Sequence, residues 1–530
     1  MLELRGLYFP DEGRYAEIPR EMIESGDWVT PRLNGFPYFE KPPLQYWLTA
    51  AIFAVAGEDE WTARLVPALA GLGALFAVLL TARRLLGRRA GWMAAAVMAS
   101  SLGYFLATQF VTLDMLLTAA LTCALCAFLR AQDARATVTD NRRWMLVAWA
   151  LCALAVLTKG PVGVVLPALA IATYVLVARD LSLLRRLHIT LGLMVLAVIT
   201  LPWFLLVEAR NPGFSEFFFV HEHWQRFTQP LHHRAGPIWY FIPILVVFLM
   251  PWLPAMAWSI RDWKGFGATP SGFSPGRFAW CWAGAILVFF SVSSSKLPAY
   301  VLPAMGAIAL AVAAPMARRW TMSVRITAWT LVSGGVVTAL AAVPVTVWIT
   351  AALVRDDYAS SVGWVIAAGL LLSATGIVTL RSLLKRQRVN ALAVLVLGAM
   401  TACQLGAVVA YEVDRYFSAE RLIERISGGE SLRPFRPELP FYSVDTFDHT
   451  VPFYLGRQVI LVKEKGELDW GIARAPRTYI AEFATFEQRW RDGGDAYAIM
   501  APSTYEALRR ADLPMRLIDT DGRRVVVTRN

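Results

Sequence analysis

The sequence predicts an all-α polytopic membrane bundle followed by a small C-terminal α/β domain. The first observation is hydropathy: 56% of the 530 residues are hydrophobic and the mean hydropathy is +0.47. About twelve apolar runs approach the length that crosses a bilayer. The second is charge, because arginines cluster in short loops between these runs, as the positive-inside rule expects. The third is a charged tail with alternating apolar and polar residues.

The apolar runs follow one another along the middle of the chain. If they simply alternate across the membrane, six loops rich in Lys and Arg share one side, beginning with 83–89. We assign that side to the cytoplasm, because the opposite loops are short or poor in basic residues. The predicted spans are 64–82, 90–108, 112–131, 144–158, 162–178, 189–207, 239–260, 278–293, 297–316, 326–352, 363–380 and 390–411.

One apolar segment, PPLQYWLTAAIFAVAG at 42–57, is too short to fit this scheme as a span. If it crossed, every arginine cluster would face outward, so we predict a juxtamembrane helix on the outer surface. Residues 1–63 then form an outer loop, 64–411 the transmembrane domain and 412–530 an outer domain. Since MLELRG is no signal peptide, we expect a further N-terminal span to be missing ahead of it.

The tail predicts a small α/β domain, because RQVILV, TYIAEF and RRVVVT alternate with helical stretches such as PSTYEALRRA. Several function classes are unsupported. The net charge of +11 is explained by the arginine loops, so it does not indicate nucleic acid. We find no Walker-type or GxGxxG loop, so no nucleotide is expected. The five cysteines all lie in apolar segments, which indicates neither a disulfide framework nor a Cys zinc site.

Unusual polar residues gather on the outer face in this topology. They come from YFPDEGRYAEIPREM, NGFPYFEKPPLQYW, LTKGPVG, FFFVHEHWQRF and SSSKLPAYVLP, and from the start of the third span. Ionisable groups at membrane depth are costly and therefore indicate function. The candidate residues are Asp11, Glu12, Arg14, Tyr15, Tyr38, Glu40, Lys41, Asp114, Lys159, His221, Arg226, Lys296 and Tyr300.

Seven of these candidates also have a structural explanation. Asp11 could cap a helix, Glu40 and Lys41 could form a surface ion pair, and Asp114 could be a structural hydrogen-bond acceptor. Lys159 and Lys296 could contact lipid headgroups. His221 could belong to an aromatic belt at the membrane interface. The clustering of acids, bases and histidines on one face favours a site over these separate explanations.

The residue types indicate the substrate chemistry. The cations Lys41, Lys159, Arg226 and Lys296 suit a phosphate, because Arg donates through a planar fork and Lys acts as a point charge. The carboxylates suit hydroxyls, an amine or a divalent metal, and Glu40 with His221 is a candidate zinc pair. Aromatic side chains such as Tyr15 and Tyr38 suit a sugar face or an acyl chain. Together they predict an amphiphilic substrate with a phosphate and a sugar.

The motifs PDEGRYAEIPREM, NGFPYFEKPPLQYW and TKGPVG in a spanning bundle resemble the lipid A aminoarabinose transferases. That family has the wider GT-C fold and is related to the protein O-mannosyltransferases. The resemblance runs from residue 8 into the tail and implies an inner-membrane glycosyltransferase. It implies transfer of 4-amino-4-deoxy-L-arabinose from undecaprenyl phosphate to lipid A phosphates at the periplasmic face, which lowers polymyxin binding.

The resemblance also implies residue roles. Asp11 matches the family's essential carboxylate, and Glu40 with Lys41 matches its FEKPP motif, while the matches at Lys159, His221 and Arg226 are looser. A lipid A phosphate is already anionic, so we expect catalysis by positioning and by cations that stabilise negative charge. We assign catalysis to Asp11 and Asp114, donor phosphate to Lys41, Arg226, Lys159 and Lys296, and sugar or lipid contacts to Glu12, Arg14, Tyr15, Tyr38 and Tyr300.

Three other functions stay open at this point. Another GT-C transferase would move a hexose to protein or glycan, and Asp11 would then be a general base. A lipid-linked sugar flippase would show charges near the bilayer midplane and paired broken helices. A membrane anchor for the tail domain would not need Asp114 or Lys159.

Overall fold

The computed structural model describes residues 2–3, 5–225, 236–259, 272–353, 361–428, 435–475 and 478–529. The chain divides into two compact units. The larger unit comprises Glu40–Gln45 and Val66–Ala407, and the smaller unit comprises Met1–Phe39, Tyr46–Leu65 and Val408–Asn530. Each unit is described by itself below.

Helices account for every predicted span, which confirms the predicted fold class. By length and composition, eight helices in the described residues are long and apolar enough to cross a membrane. The helices up to the end of the bundle are α1 (Asp11–Ser25), α2 (Leu44–Ala56), α3 (Glu60–Leu86), α4 (Arg88–Ser100), α5 (Leu102–Ala107), α6 (Leu113–Ala131), α7 (Val138–Lys159), α8 (Val162–Ala178), α9 (Ile189–Arg210), α10 (Phe241–Phe248), α11 (Leu253–Ser259), α12 (Pro275–Val292), α13 (Leu302–Arg318), α14 (Trp320–Leu353), α15 (Ser361–Leu384) and α16 (Arg388–Phe417).

Two helices form the centre of the larger unit. The apolar window of α6 is 78% buried and that of Pro298–Arg318, which contains α13, is 83% buried, whereas that of α9 is only 17% buried. A helix that is apolar all round and buried belongs to a bundle core, while an apolar and exposed one suits contact with lipid. Asp114, one of the candidate site residues, lies in the first turn of α6.

Two predicted spans, 90–108 and 239–260, are each interrupted, and the interruptions contact each other. The amide of Leu102 donates to the carbonyl of Met250 (2.9 Å), and the indole N–H of Trp252 donates to the hydroxyl of Ser100 (2.9 Å). These bonds satisfy backbone and side-chain groups that a broken helix would leave unpaired. No acidic or basic residue occurs in 97–104 or 247–254, so the breaks lack the charges that an ion or sugar-phosphate pathway would use.

The N-terminal part of the smaller unit is a helix, a hairpin and a short helix. Helix α1 is followed by the strands β1 (Arg32–Leu33) and β2 (Phe36–Pro37), which pair antiparallel. Asn34 and Gly35 connect them at φ 54° and 79°, as the Asn-Gly hairpin turn requires. Helix α2 has 13 residues, or about 20 Å at 1.5 Å per residue, which is less than the hydrocarbon thickness of a bilayer. The prediction that it does not cross the membrane stays a prediction.

The C-terminal part of the smaller unit is the predicted α/β domain. Its sheet has six strands in the order β5-β4-β3-β6-β8-β7, of which β5, β4, β3 and β6 are parallel. The strands are β3 (Phe441–Val444), β4 (Ile460–Val462), β5 (Tyr479–Ile480), β6 (Tyr497–Met500), β7 (Arg516–Thr520) and β8 (Val525–Thr528). The helices around it are α17 (Glu420–Ser427), α18 (Thr450–Leu455), α19 (Asp469–Ile472), α20 (Phe483–Asp492) and α21 (Pro502–Arg510).

The N-terminal segments pack on this α/β domain. The Asn34 side chain donates to the carbonyl of Val459 (2.8 Å) and accepts from its amide (2.7 Å). Gly13 of α1 lies against the chain at His449, since a Cβ at position 13 would be 2.7 Å from the His449 carbonyl carbon. The sequence predicted separate domains at 1–63 and 412–530, so this packing was not expected. The proposed boundaries at 64 and 411 stay predictions.

Candidate active site

The predicted site residues divide between the two units. The larger unit holds Glu40, Lys41, Asp114, Lys159, His221, Lys296 and Tyr300, and the smaller unit holds Asp11, Glu12, Arg14, Tyr15 and Tyr38. Arg226 lies outside the described residues.

Asp114 and Lys159 form an ion pair in the larger unit. Asp114 begins α6, and Lys159 ends α7 at the turn that leads into α8. The Lys159 ammonium also lies 5.0 Å from the centroid of the Tyr300 ring, a cation–π distance. Both side chains of the ion pair remain partly exposed, at 17% and 18%. Asp114 and the Tyr300 ring therefore hold the Lys159 side chain at the turn, so a lipid headgroup contact is not needed to explain its position.

His223 lies against the Lys159 backbone and near the charge of Lys41. Its Nε2 lies 3.2 Å from the Lys159 carbonyl oxygen, and its Nδ1 lies 2.6 Å from that of Phe218. Burial lowers the pKa of His223, and the nearby Lys41 charge lowers it further, although the two carbonyl contacts oppose these effects. A neutral ring carries one N–H, so it can donate to only one of these carbonyls. Gly160 permits the contact, because a Cβ there would be 2.5 Å from Nε2.

Lys41 lies among carboxylates. Its ammonium is 3.6 Å from a carboxylate oxygen of Glu40 and 3.9 Å from one of Glu222, and it donates to the Glu40 carbonyl at 2.8 Å. The Lys41 and Glu40 side chains are each 11% exposed. Glu222 comes from a π-helix, Glu216–Gln225, which also supplies His221 and His223. Two carboxylates therefore hold the ammonium in place.

The predicted zinc pair does not form a metal site in the described residues. His221 Nδ1 lies 3.2 Å from a carboxylate oxygen of Glu222, while Glu40 is paired with the Lys41 ammonium. Among the described residues, no group of three or more His, Cys, Asp or Glu is arranged to hold a metal ion. Protein zinc sites use three or four protein ligands, and an ammonium beside the carboxylates repels a metal cation, so these residues do not fit zinc.

Lys296 lies at the predicted turn, between α12 and α13. It is only 6% exposed, and its ammonium donates to the backbone carbonyls of Ser291 (3.0 Å) and Ser293. Tyr300 packs on Phe290 with ring centroids 4.7 Å apart. Lys296 is thus held by carbonyl oxygens of its own turn, and binding a phosphate would mean exchanging at least one of them.

Asp11 begins α1 in the smaller unit. The N-cap of this helix is Pro10, and no side-chain cap bond is made there, so helix capping does not explain Asp11. Its side chain is 54% exposed and pairs with Arg14 one turn later. Arg14 is 7% exposed and also contacts Glu467 and the hydroxyl of Tyr38, the latter at 2.9 Å. Arg14 therefore orients an exposed carboxylate from a buried position.

Glu12 has a different environment from Asp11. It is 1% exposed and pairs with Arg64, at 3.1 and 3.2 Å, and with Arg5. Burial raises the pKa of Glu12, but Arg64 and Arg5 outweigh burial and hold the pKa at about 2. The structure therefore places Glu12 as an ionised counter-ion inside the smaller unit, away from the solvent that a sugar or lipid would displace.

Four residues of these networks were not assigned roles from the sequence. Glu222 and His223 were noted in FFFVHEHWQRF but received no role, although they directly follow His221 and lie on the same short helix. Glu467 and His449 carried no local signal in the sequence. Glu467 lies 453 residues from its partner Arg14, and His449 lies 18 residues from its partner Glu467.

Comparison with known proteins gives two family matches. The model for the aminoarabinose transferase C-terminal domain matches residues 431–529, and the model for dolichyl-phosphate-mannose-protein mannosyltransferase matches residues 8–218. Among curated relatives, the chain is 36% identical over 315 residues to the undecaprenyl phosphate-alpha-4-amino-4-deoxy-L-arabinose arabinosyl transferase of Shewanella sediminis. That match covers 59% of this chain and 56% of the relative, so the chain spans about half the length of the curated relatives it matches.

Two solved structures are similar along the whole chain. The crystal structure of ArnT from Cupriavidus metallidurans bound to undecaprenyl phosphate superposes with a TM-score of 0.93 at 37% identity. The apo structure of the same protein gives 0.90 at 36% identity. Both similarities cover 100% of this chain and 95% of the other.

Proposed function

Because the chain belongs to the aminoarabinose transferase family, we propose that it transfers 4-amino-4-deoxy-L-arabinose from undecaprenyl phosphate to phosphate groups of lipid A. The observation that carries this proposal is the 37% identity, over 100% of the chain, to an ArnT crystallised with undecaprenyl phosphate. The names of the curated relatives, each an undecaprenyl phosphate aminoarabinose arabinosyl transferase, support the same sugar and the same lipid carrier.

The cations of the larger unit support binding of the donor phosphate. His223 contacts the Lys159 backbone carbonyl, and the charge of Lys41 lowers the pKa of the same ring. Both lysine side chains retain partial exposure, at 11% and 18%, and so can contact a ligand. Each is already paired with a carboxylate, which keeps it charged and oriented before the ligand arrives. We assign both ammonium groups to the donor phosphate.

Arg226 is the second phosphate ligand predicted from the sequence, and it lies outside the described residues. If it binds the phosphate through both arms of its guanidinium, Arg226→Lys should weaken donor binding, because an ammonium cannot reproduce a bidentate contact.

The chemistry of the transfer requires no strong base. The bond between the anomeric carbon of the sugar and the donor phosphate oxygen breaks, and a lipid A phosphate oxygen bonds to that carbon. Undecaprenyl phosphate leaves as an anion, and the acceptor oxygen is already anionic. Catalysis then rests on positioning and on stabilising developing charge. We assign the exposed carboxylate of Asp11 to the sugar, where it orients the ring or balances positive charge at the anomeric carbon.

Location follows from the same proposal. The apolar helices and the family indicate a multi-pass membrane protein. We infer the bacterial inner membrane with the active site facing the periplasm, because the basic loops would then lie in the cytoplasm. Adding an amine-bearing sugar to a lipid A phosphate reduces the negative charge of the surface, which would lower binding of cationic peptides such as polymyxin. No step in this proposal passes through a metal.

A second candidate is transfer of a hexose to protein, favoured by the match of residues 8–218 to the protein mannosyltransferases. One assay separates the two. The purified protein is given undecaprenyl-phosphate aminoarabinose or a polyprenyl-phosphate hexose, with either lipid A or a Ser/Thr-rich peptide, and products are weighed by mass spectrometry. An aminopentose on lipid A supports the proposal. A hexose on the peptide, with lipid A unchanged, contradicts it.

A further inference from the structure

The C-terminal α/β domain contacts the helix that carries the candidate catalytic carboxylate, through two side chains at one edge of its sheet. Glu467 pairs with Arg14 of α1, and Arg14 pairs with Asp11. The other carboxylate oxygen of Glu467 lies 2.7 Å from Nε2 of His449. A continuous chain of charged and hydrogen-bonding groups therefore runs from His449 to Asp11 within the smaller unit.

The edge of the sheet at which these residues lie is the usual ligand edge of such folds. His449 follows β3, and Glu467 follows β4, both beyond the carboxyl ends of parallel strands. After β3, the chain forms β4 and then β5 on one side of β3. It later returns to the other side of β3 as β6. In open α/β sheets, ligands bind outside the carboxyl ends at such a reversal. Here α1 lies against that edge, with Gly13 touching the backbone of His449.

The contact is buried and well supported. Arg14 and His449 are 7% and 8% exposed, and Glu467 is 23% exposed. The His449 ring packs against Phe447 and Phe9, with centroids 4.6 and 5.3 Å apart, which restricts its rotation. A buried guanidinium with two carboxylates and a tyrosine hydroxyl has little freedom to move, so the position of Asp11 is set in part by the α/β domain.

The sharing of Arg14 gives this arrangement a chemical purpose. Arg14 pairs with two carboxylates, those of Asp11 and Glu467. The exposed end of the network is Asp11, whose side chain is 54% exposed. A carboxylate that is oriented by its partner and still open to solvent suits stabilisation of a positive anomeric carbon.

We propose that Glu467, held by His449, is a positioning residue that orients Arg14 and, through it, the catalytic carboxylate of Asp11. The C-terminal domain is then part of the catalytic apparatus rather than an appended domain. This inference rests on the proposed function, in which Asp11 acts on the sugar.

The test compares Glu467→Gln, which keeps size and removes charge, with Asp469→Asn in the same segment. Asp469 is 67% exposed and pairs only at the surface with Lys465 at 3.2 Å, so it is a matched control. We expect Glu467→Gln to lower kcat roughly 10- to 100-fold, since small misplacements of reacting groups have effects of that size. KM for the donor should stay within about twofold. Asp469→Asn should leave both unchanged.

A purely structural role would give a different result. In an Arg14→Lys background, a positioning role predicts that Glu467→Gln adds little further loss of kcat, whereas independent effects would multiply. Glu467→Asp, which keeps the charge, should recover part of kcat. If Glu467→Gln does not fold, His449→Gln releases Glu467 from its second partner and should lower kcat in the same direction.

Wild-type kcat in Glu467→Gln or in a folded His449→Gln, or full multiplication of the losses, overturns the inference. The proposed function fails separately, if the wild-type protein transfers no aminopentose to lipid A, and the role of Asp11 fails if Asp11→Asn retains normal turnover. Thus an inactive Asp11→Asn with a fully active Glu467→Gln removes only the role of the C-terminal domain.

Discussion

Replacing Glu12 by Gln should destabilise the smaller unit without changing donor affinity. Glu12 is 1% exposed and sits between Arg64 and Arg5. Its pKa is held at about 2, against an ordinary value of 4.5, which corresponds to about 3 kcal/mol at about 1.4 kcal/mol per tenfold change in the protonation equilibrium. The variant also leaves two buried guanidinium groups without their carboxylate, and losses of roughly 3–5 kcal/mol are typical of that change.

The pH dependence has a definite sign. Because the folded-state pKa is lowered, the ion pair's stabilisation is fully present above about pH 4.5 and is lost as the pH falls toward 2. Thermal unfolding in detergent at several pH values should therefore show a large gap between wild type and Glu12→Gln at pH 7 that narrows in acid.

The matched control is Glu24→Gln on the same helix. Glu24 is 62% exposed and pairs with Arg20 at 3.0 Å, and exposed pairs contribute about 0–1 kcal/mol. Its unfolding temperature should stay close to wild type at every pH. The reasoning is refuted if Glu12→Gln unfolds like wild type but loses donor binding, because Glu12 would then be the ligand contact predicted from the sequence.

Three further predictions follow from the site and the topology. Lys41→Ala should weaken undecaprenyl phosphate binding by about 1.5–3 kcal/mol, or roughly 10- to 150-fold. Arg84→Ala, which removes a cation of the same unit whose side chain is 48% exposed, should leave the affinity unchanged. Equal affinities of Lys41→Ala and wild type would move the phosphate site elsewhere. Asp11→Asn should nearly abolish transfer in a folded protein, and normal turnover would remove Asp11 from catalysis. Single cysteines placed at Glu58 and Arg88 should react with impermeant reagents from opposite sides of the membrane, and labelling from one side would refute the topology.

Elements with local patterns were predictable from the sequence. The strand segments RQVILV, TYIAEF and RRVVVT contain β4, β5 and β8, and PSTYEALRRA contains α21. The length of the apolar runs and the arginine-rich loops between them were enough to predict the spans. Each span satisfies its backbone hydrogen bonds internally and needs no distant partner. The breaks at 101 and 249–252 were missed, since a broken helix in a bundle keeps the same hydropathy as a continuous one.

The site was predictable in its residue types but not in its pairings. Asp114 and Lys159 were both named, but their ion pair joins residues 45 apart, and hydropathy carries no information about such contacts. Glu12 was assigned to the ligand because it shares a motif with Asp11. Its burial depends on Arg64, which is 52 residues away, and adjacent positions on a helix point in different directions. The contact of Glu467 with Arg14 depends on the fold of the C-terminal domain, so no local pattern could reveal it.

The most direct test of the proposed function is the mass of lipid A after incubation with the purified protein and undecaprenyl-phosphate aminoarabinose. The proposal predicts one aminopentose per modified phosphate with intact lipid A, no product with lipid A whose phosphates have been removed, and almost no product with Asp11→Asn. Transfer to dephosphorylated lipid A, or a lipid A mass unchanged by an otherwise folded, donor-binding protein, would contradict it.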